Sequence, residues 1–216
     1  MSKRKFYDPD KTPIYEITME DDGNTGIRLV SLVENPAHEE MGMCFSKEEI
    51  ENYQFKSIED QQMVVGPALI PDKKIIRKDD NGDPYFVFFS SDTIRMLVEK
   101  FNSENNSRSL NIDHTNEMVD GYIQQSWIVA DPVYDKSKYY GYSLPKGSWF
   151  LEVKVKDPKF FKERVKDGKR YSFSIEGLLG QRPVQHSTQH FNKINNLEEL
   201  IDWLSEDDIK DILKDL

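Results

Sequence analysis

The chain has 216 residues, of which 37% are hydrophobic and 12% aromatic, enough apolar side chains to bury a core. Its formal net charge is -10 without a dense stripe of lysine and arginine, which argues against a main role in binding the nucleic-acid backbone. No apolar run reaches the roughly 18 residues that a membrane span needs, and the single cysteine, Cys44, fits a reducing compartment such as the cytosol.

Residues 14–33 have the pattern of a β-hairpin. A β-rich run at 14–19 is followed by dense turn residues at 21–26 and by a second strand-like run at 27–33. The next stretch, 38–60, is polar and has a helical pattern after Ser46. The beginning of the chain therefore predicts two paired strands and then a polar connection.

Residues 63–101 predict three strands and one helix. Apolar and β-branched residues at 63–70, 74–77 and 85–89 are typical of strands. Ser91 can cap a helix whose apolar side chains recur at the i, i+3, i+4, i+7 positions of one face. These side chains are Ile94, Leu97, Val98 and Phe101.

The remaining sequence predicts four more strands, at 110–112, 122–129, 149–155 and 171–179. Asp157 followed by Pro158 is typical of a helix start. A polar linker is expected at 181–195, and two short amphipathic helices at 196–216. Residues 197–216 carry eight carboxylates against two lysines, so this tail has a net charge of -6.

This order of elements predicts an α+β fold of short strands with two or three helices between them. Strands are not regularly followed by helices, so a doubly wound parallel sheet is not expected. We expect a largely antiparallel, barrel-like sheet flanked by helices in a domain at 1–180. Its core would span 62–180, and the N-terminal hairpin 14–37 would contribute a strand. The linker 181–195 and the acidic helical tail 196–216 follow.

Histidine is scarce in this chain, present only as His38, His114, His186 and His190. The i, i+4 spacing of His186 and His190 resembles a zinc-protease helix, but Ser187 stands where that motif has its glutamate. Two solvated histidines are the simpler interpretation, and we expect no metal or other cofactor. His114 ends an apolar strand, where a catalytic base is both rigid and accessible, although a structural role fits the same pattern.

The strand at 171–179 carries the candidate nucleophile. Side chains alternate between the faces of a strand, so the polar residues Ser172, Ser174 and Glu176 share one face. Gly177 permits the close backbone approach that an oxyanion site or a substrate strand needs. A half-buried strand with a polar face has the same pattern. Serine hydrolysis also requires an imidazole within hydrogen-bond reach of the hydroxyl, which spacing alone does not place.

The ordered segments from residue 63 to residue 177 resemble the phage prohead (procapsid-maturation) serine proteases, especially the XkdF-like group. The similar segments are 62–72 (QMVVGPALIPD), 111–114 (NIDH), 125–129 (QSWIV), 147–155 (GSWFLEVKV), 157–168 and 173–177 (FSIEG). The resemblance covers over half of the chain. It implies a fold like that of herpesvirus assemblin, a β-barrel flanked by helices, with a catalytic histidine and serine in that chain order.

Carried over residue by residue, the resemblance makes His114 the general base and Ser174 the nucleophile. Ser172 competes for the second role, because the register of a strand with two serines is easily misread by one pleat. In many relatives an acidic third group lies on a strand with a Ser-Leu-Val-x-x-Pro-Ala motif, C-terminal to the serine. Here that motif occupies residues 30–37 (VSLVENPA), near the N-terminus, which suggests a circularly permuted arrangement.

The sequence does not identify the acidic third catalytic group. Leu29 and Ser31 stand at the positions where the resemblance places the acid. Glu176, Glu34, Asp120 or Glu152 could substitute, or the histidine and serine could act without an acid.

The resemblance implies a capsid-maturation endoprotease. It would cleave scaffold and major capsid-protein segments, and itself, inside the assembling procapsid in the host cytoplasm, and it could form a homo-oligomer or stay in the virion. Ser174 would attack the scissile carbonyl, His114 would transfer the proton, and backbone N–H groups near Gly177 would bind the oxyanion. The tail at 196–216 would dock to these partners, be removed, or pack on its own domain. The alternative is a catalytically inactive structural or cargo protein of the phage head on the same fold.

Overall fold

The computed structural model describes residues 12–20, 23–33, 56–167 and 172–184, and these form eleven strands and two helices. The strands are β1 (Ile14–Thr18), β2 (Gly26–Val33), β3 (Lys56–Ile58), β4 (Met63–Leu69), β5 (Ile75–Lys78), β6 (Pro84–Phe88), β7 (Leu110–Ile112), β8 (Gly121–Ile128), β9 (Trp149–Val155), β10 (Ser172–Leu178) and β11 (Gly180–Val184). The helices are α1 (Ser91–Ser103) and α2 (Pro158–Phe160), which continues as a π-helical turn at Phe161–Lys166.

The chain divides into two compact units, residues 1–184 and 185–216. The second unit contains the predicted acidic tail and most of the predicted linker, and it lies outside the described residues, as do Ser46 and His38. No helix in the described ranges is long and apolar enough to cross a membrane.

The strands form three sheets, with the orders β11-β1-β6-β5 (sheet A), β10-β2-β7 (sheet B) and β3-β4-β9-β8 (sheet C). Six of the eight strand pairings are antiparallel, which confirms the expectation of a mainly antiparallel sheet structure with helices. The expected barrel is wrong, because the sheets are not closed. Closure needs a backbone ladder between edge strands, whereas β10 contacts β4 without pairing with it.

The predicted N-terminal hairpin is also wrong, although both of its strands are present. β1 pairs with β11 and β6 in sheet A, whereas β2 pairs with β10 and β7 in sheet B. The reason is burial: Val30, Ser31 and Leu32 are all fully buried, so both faces of β2 are covered. A strand of this kind belongs in the interior of a sheet, and a two-stranded hairpin cannot bury it.

Most other predicted elements are confirmed, within one or two residues at their ends. The strand predicted at 149–155 has the same bounds as β9, and the predicted helix is α1, capped by Ser90 one residue earlier than expected. Thr93 N donates to Ser90 Oγ over 3.3 Å. The linker was expected from residue 181, but residues 181–184 belong to β11, which pairs with β1. β3 was not predicted.

The main core lies between α1 and the sheets. Phe101 of α1 packs edge to face on Trp149 of β9, with ring centroids 5.3 Å apart, and both side chains are fully buried. Leu97 of α1 belongs to the same apolar cluster as Val30 and Leu32 of β2. One face of sheet B is thus anchored in the core, which leaves its other face to carry polar side chains.

Candidate active site

Three polar residues, one from each strand of sheet B, lie side by side. Ser174 of β10 pairs with Ser31 of β2, and Ser31 pairs with Asn111 of β7. Paired residues point to the same face of a sheet, so the three side chains form a polar row across it, on the face opposite the core. We call Ser174, Ser31 and Asn111 the polar row.

His114 follows β7 in a tight turn. Asp113 and His114 have φ angles of 49° and 56°. This left-handed conformation costs about 1–3 kcal/mol for each residue other than glycine. Two backbone hydrogen bonds hold the turn: Asp113 N donates to Leu32 O over 3.1 Å, and His114 N donates to Ser31 Oγ over 2.9 Å. The strained turn therefore fixes the imidazole beside the polar row, which confirms the expectation that His114 lies where a strand meets a loop.

The imidazole of His114 contacts the carboxylate of Glu176. His114 Nδ1 and Glu176 Oε1 are 3.0 Å apart, and the two side chains are 44% and 31% exposed, so a substrate can reach them. Glu176 lies two residues beyond Ser174 on β10 and therefore shares its face. A carboxylate on Nδ1 favours the imidazole tautomer with its proton on that nitrogen, which leaves Nε2 to accept a proton from a hydroxyl.

Buried side chains of the polar row hold this carboxylate. Asn111 Nδ2 donates to Glu176 Oε1 over 2.7 Å and to Thr115 O over 2.9 Å. Ser31 Oγ donates to Asn111 Oδ1, which fixes the amide with its Nδ2 toward the carboxylate. Ser31 and Asn111 are 0% and 2% exposed, so these bonds are shielded from water and are strengthened by the low local dielectric.

Ser174 and Ser172 differ in exposure and in their neighbours. Ser172 is 1% exposed and pairs with Val33, whereas Ser174 is half-buried and pairs with Ser31, the acceptor of the His114 N–H. Ser174 also lies nearer along β10 to Glu176. No hydrogen bond joins His114 to Ser174 within the described ranges. In unliganded enzymes catalytic hydrogen bonds are often long and tighten only with substrate bound.

The other acids considered for the third position have different partners or lie outside the described residues. Asp120 pairs with Lys156 over 2.8 Å. Glu152 is 1% exposed and accepts from Lys136 and from Tyr140 OH. Glu34 lies outside the described residues. Glu176 is thus the candidate that the structure brings to the imidazole.

Gly177 has a structural reason to be glycine. A Cβ built at this position would lie 2.0 Å from Gly26 O on β2. The register of β10 against β2 shifts between Glu176 and Gly177, and such bulges re-aim side chains beside active sites. The close approach predicted from the sequence is therefore an approach of β2 to β10.

Sequence reasoning missed the supporting role of Ser31 and Asn111. Each is a polar residue inside an otherwise apolar strand, which is a signal for a buried hydrogen-bond partner. Leu29, one of the two positions where the acid was expected, pairs directly with Glu176. The acid therefore lies on the neighbouring strand, across from its expected position.

His186 and His190, whose spacing resembles a zinc-protease helix but which were expected to be solvated, lie outside the described residues. In the part of the chain that the structure describes, no group of three or more His, Cys, Asp or Glu side chains has the arrangement of a metal site.

A half-exposed serine, an imidazole and a carboxylate on one face of a sheet are the groups that a serine hydrolase uses. Residues 51–181 match the family described as "Putative phage serine protease XkdF", and the chain belongs to this family of phage serine proteases. The matched range includes β7, the His114 turn and β10, whereas β2 precedes it. No curated protein and no solved structure gives a significant match.

Proposed function

We propose that the chain is a phage endopeptidase that cleaves scaffold and major capsid-protein segments during procapsid maturation, inside the procapsid in the host cytoplasm. Ser174 is the nucleophile, His114 the general base and Glu176 the acid that orients it. The observation that carries the proposal is the 3.0 Å contact between His114 Nδ1 and Glu176 Oε1 on the face that bears Ser174. Membership of a phage serine protease family supports peptide-bond cleavage as the reaction.

The reaction follows from this arrangement. With its Nδ1 proton directed to Glu176, His114 accepts the Ser174 hydroxyl proton on Nε2 as Oγ attacks the scissile carbonyl. Glu176 stabilises the imidazolium that forms. Collapse of the tetrahedral intermediate breaks the peptide C–N bond, and His114 returns the proton to the leaving amine. Water then hydrolyses the acyl-enzyme with the same base, which returns the proton to Ser174 Oγ.

The position of β2 supports the proposal that the fold is a circularly permuted relative of assemblin. The Ser-Leu-Val segment of its motif lies between the serine strand β10 and the histidine strand β7, pairing with both. An N-terminal strand thus occupies the place that a C-terminal strand would have in the relatives.

The proposal is tested by co-expressing the full chain with the scaffold and major capsid proteins of the same phage. The wild type is expected to process at least one of these proteins. Processing should be lost in Ser174→Ala and should persist in the matched control Ser172→Ala. A fluorophosphonate probe should label the wild type and Ser172→Ala but not Ser174→Ala.

Two outcomes would contradict this assignment. Unchanged processing in Ser174→Ala would show that Ser174 is not the nucleophile. Absence of both processing and labelling in the wild type would favour the alternative, an inactive structural or cargo protein of the phage head.

A further inference from the structure

A cavity of about 320 Å³ lies beside the nucleophile strand. It is bordered by β10, by the end of β4 and by one face of sheet A, and its lining is mainly apolar. The lining residues used below are Ile17, Ala68, Ile75, Ile175, Leu178 and Ser174. Ser174 and Ile175 point to opposite faces of β10, yet both line the cavity. The cavity therefore runs along the edge of β10 and opens beside the candidate nucleophile.

The edge of β10 at this cavity is suited to bind an extended chain. β2 pairs with one side of β10. No described strand pairs with the other side, where the end of β4 lies across the cavity. A peptide that adds to a sheet edge sends alternate side chains to opposite faces, so that pockets beside the edge read every second residue. A peptide on β10 would direct one set of side chains toward the core side, where the cavity lies.

The size and lining of the cavity define the side chain it can take. An apolar cavity of about 150 Å³ is large enough for benzene, so 320 Å³ accommodates a large aliphatic or aromatic side chain. Leu178 is 57% exposed on β10 and lines the cavity, which gives it an accessible apolar surface. Arg77 also lines the cavity, so a basic side chain would lose its hydration there without an opposite charge beside it.

We propose that this cavity is the specificity pocket of the protease, and that it binds a large aliphatic or aromatic side chain of an extended peptide lying along β10. This inference rests on the proposed function, because it names the substrate class of the same site. The bound peptide would place a carbonyl near Ser174, while the cavity selects the residue on the core side of the sheet edge.

The first experiment uses the full-length wild type and blocked decapeptides of alanine and glycine that carry one variable residue. Peptides with Leu or Phe should be cleaved with a kcat/KM at least about 10-fold above those with Ala or Lys, as expected for an apolar pocket. Ala68→Phe, which fills the cavity from β4, should remove this preference. Ala130→Phe, at an exposed position outside the cavity lining, should retain it.

A second experiment does not depend on catalysis. In Ser174→Ala labelled at isoleucine methyl groups, the Leu peptide should shift the resonances of Ile17, Ile75 and Ile175, but not that of Ile94 in the core. Leu178 is 57% exposed, so Leu178→Asn should keep the fold while weakening these shifts. The conclusion therefore does not depend on whether Ala68→Phe folds.

The outcomes separate the two proposals. Suppose that the wild type is labelled by the fluorophosphonate or cleaves peptides. An absent preference for Leu or Phe, or absent methyl shifts in the cavity, would then contradict the specificity pocket but not the proposed protease activity. Methyl shifts in the cavity without labelling or cleavage would support peptide binding at the pocket and contradict the proposed catalysis.

Discussion

His114 is held through both its backbone and its ring. Ser31 Oγ accepts its N–H, and Glu176 contacts its Nδ1, so the left-handed backbone and the imidazole orientation are fixed by different strands. Strained residues of this kind persist only when the surrounding structure holds them in place, and they cluster at functional sites. The strain at His114 is thus consistent with a preorganised base.

Glu176→Gln tests the orienting acid. The amide keeps the shape of the side chain but removes the negative charge that stabilises the imidazolium, so kcat should fall by about 10²–10⁴-fold with little change in KM. Steady-state cleavage of a peptide substrate measures both constants. Glu99→Gln, an exposed partner of Arg95 on α1, is the matched control and should leave both constants unchanged. A decrease in kcat of less than about threefold in Glu176→Gln would show that the carboxylate is not used in catalysis.

Ser31→Ala tests the buried support of the site. It leaves the His114 N–H without its acceptor and Asn111 Oδ1 without its donor, which should lower the free energy of unfolding by about 1–3 kcal/mol. Urea unfolding measures this change, and kcat should fall with it because the imidazole loses its anchor. Ser57→Ala, on the exposed strand β3, should change neither quantity. Equal stability of the two variants would contradict the hydrogen-bond network.

At the scale of elements, the site depends on the pairing of β10 with β2. The bulge after Glu176 brings the backbone of β10 so close to β2 that position 177 has no room for a side chain. The same pairing places Ser174 opposite Ser31. A side chain introduced at position 177 would therefore shift β10 against β2 and move Ser174 relative to Ser31.

Gly177→Ala should disturb both stability and activity. Its Cβ must displace the carbonyl of Gly26, which should cost about 3 kcal/mol, as in overpacked cores. The control is Gly82→Ala, where a Cβ meets nothing within 4 Å but the φ of 84° disfavours alanine by about 1–2 kcal/mol. Thermal unfolding compares the two variants, and an equal loss in both would mean that β10 shifts freely against β2.

The sequence predicts elements better than it predicts their partners. The alternation of residues 149–155 defines β9, and the helical spacing of apolar residues defines α1, because both patterns are local. The β-rich residues of β1 and β2 indicate two strands but not which strand lies alongside each of them, and the hairpin was therefore mispredicted. Glu176 was a candidate acid from its alternation with Ser174, but its contact with His114 depends on long-range pairings through β2 that no local pattern encodes.

For the molecule as a whole, two tyrosines make the free energy of unfolding depend on pH in the alkaline range. Burial, followed by the hydrogen bond to Glu152, raises the pKa of Tyr140 to about 12, and burial also raises the pKa of Tyr142. A tyrosine in the unfolded chain ionises near pH 10. The stabilisation from the folded, protonated phenols is therefore complete below about pH 10 and is lost as the pH rises toward about 12.

Urea unfolding at a series of alkaline pH values measures this dependence. The free energy of unfolding should fall as the pH rises above about 10, where the unfolded chain has released protons that the folded chain keeps. Tyr140→Phe should make the fall shallower, whereas Tyr134→Phe, which alters a side chain 88% exposed, should leave the slope unchanged. A slope that is the same in Tyr140→Phe would contradict the role of Tyr140.

The pairing of β10 with β2 also determines when during synthesis a site can exist. Ser31 and Glu176 are 145 positions apart in the chain, so a ribosome makes the support for the histidine long before it makes the nucleophile and the acid. Pairings over such separations form late, because the intervening chain must first be closed into a loop. Under the proposed function, a nascent chain would have no protease activity until its tenth strand has emerged and paired with the second.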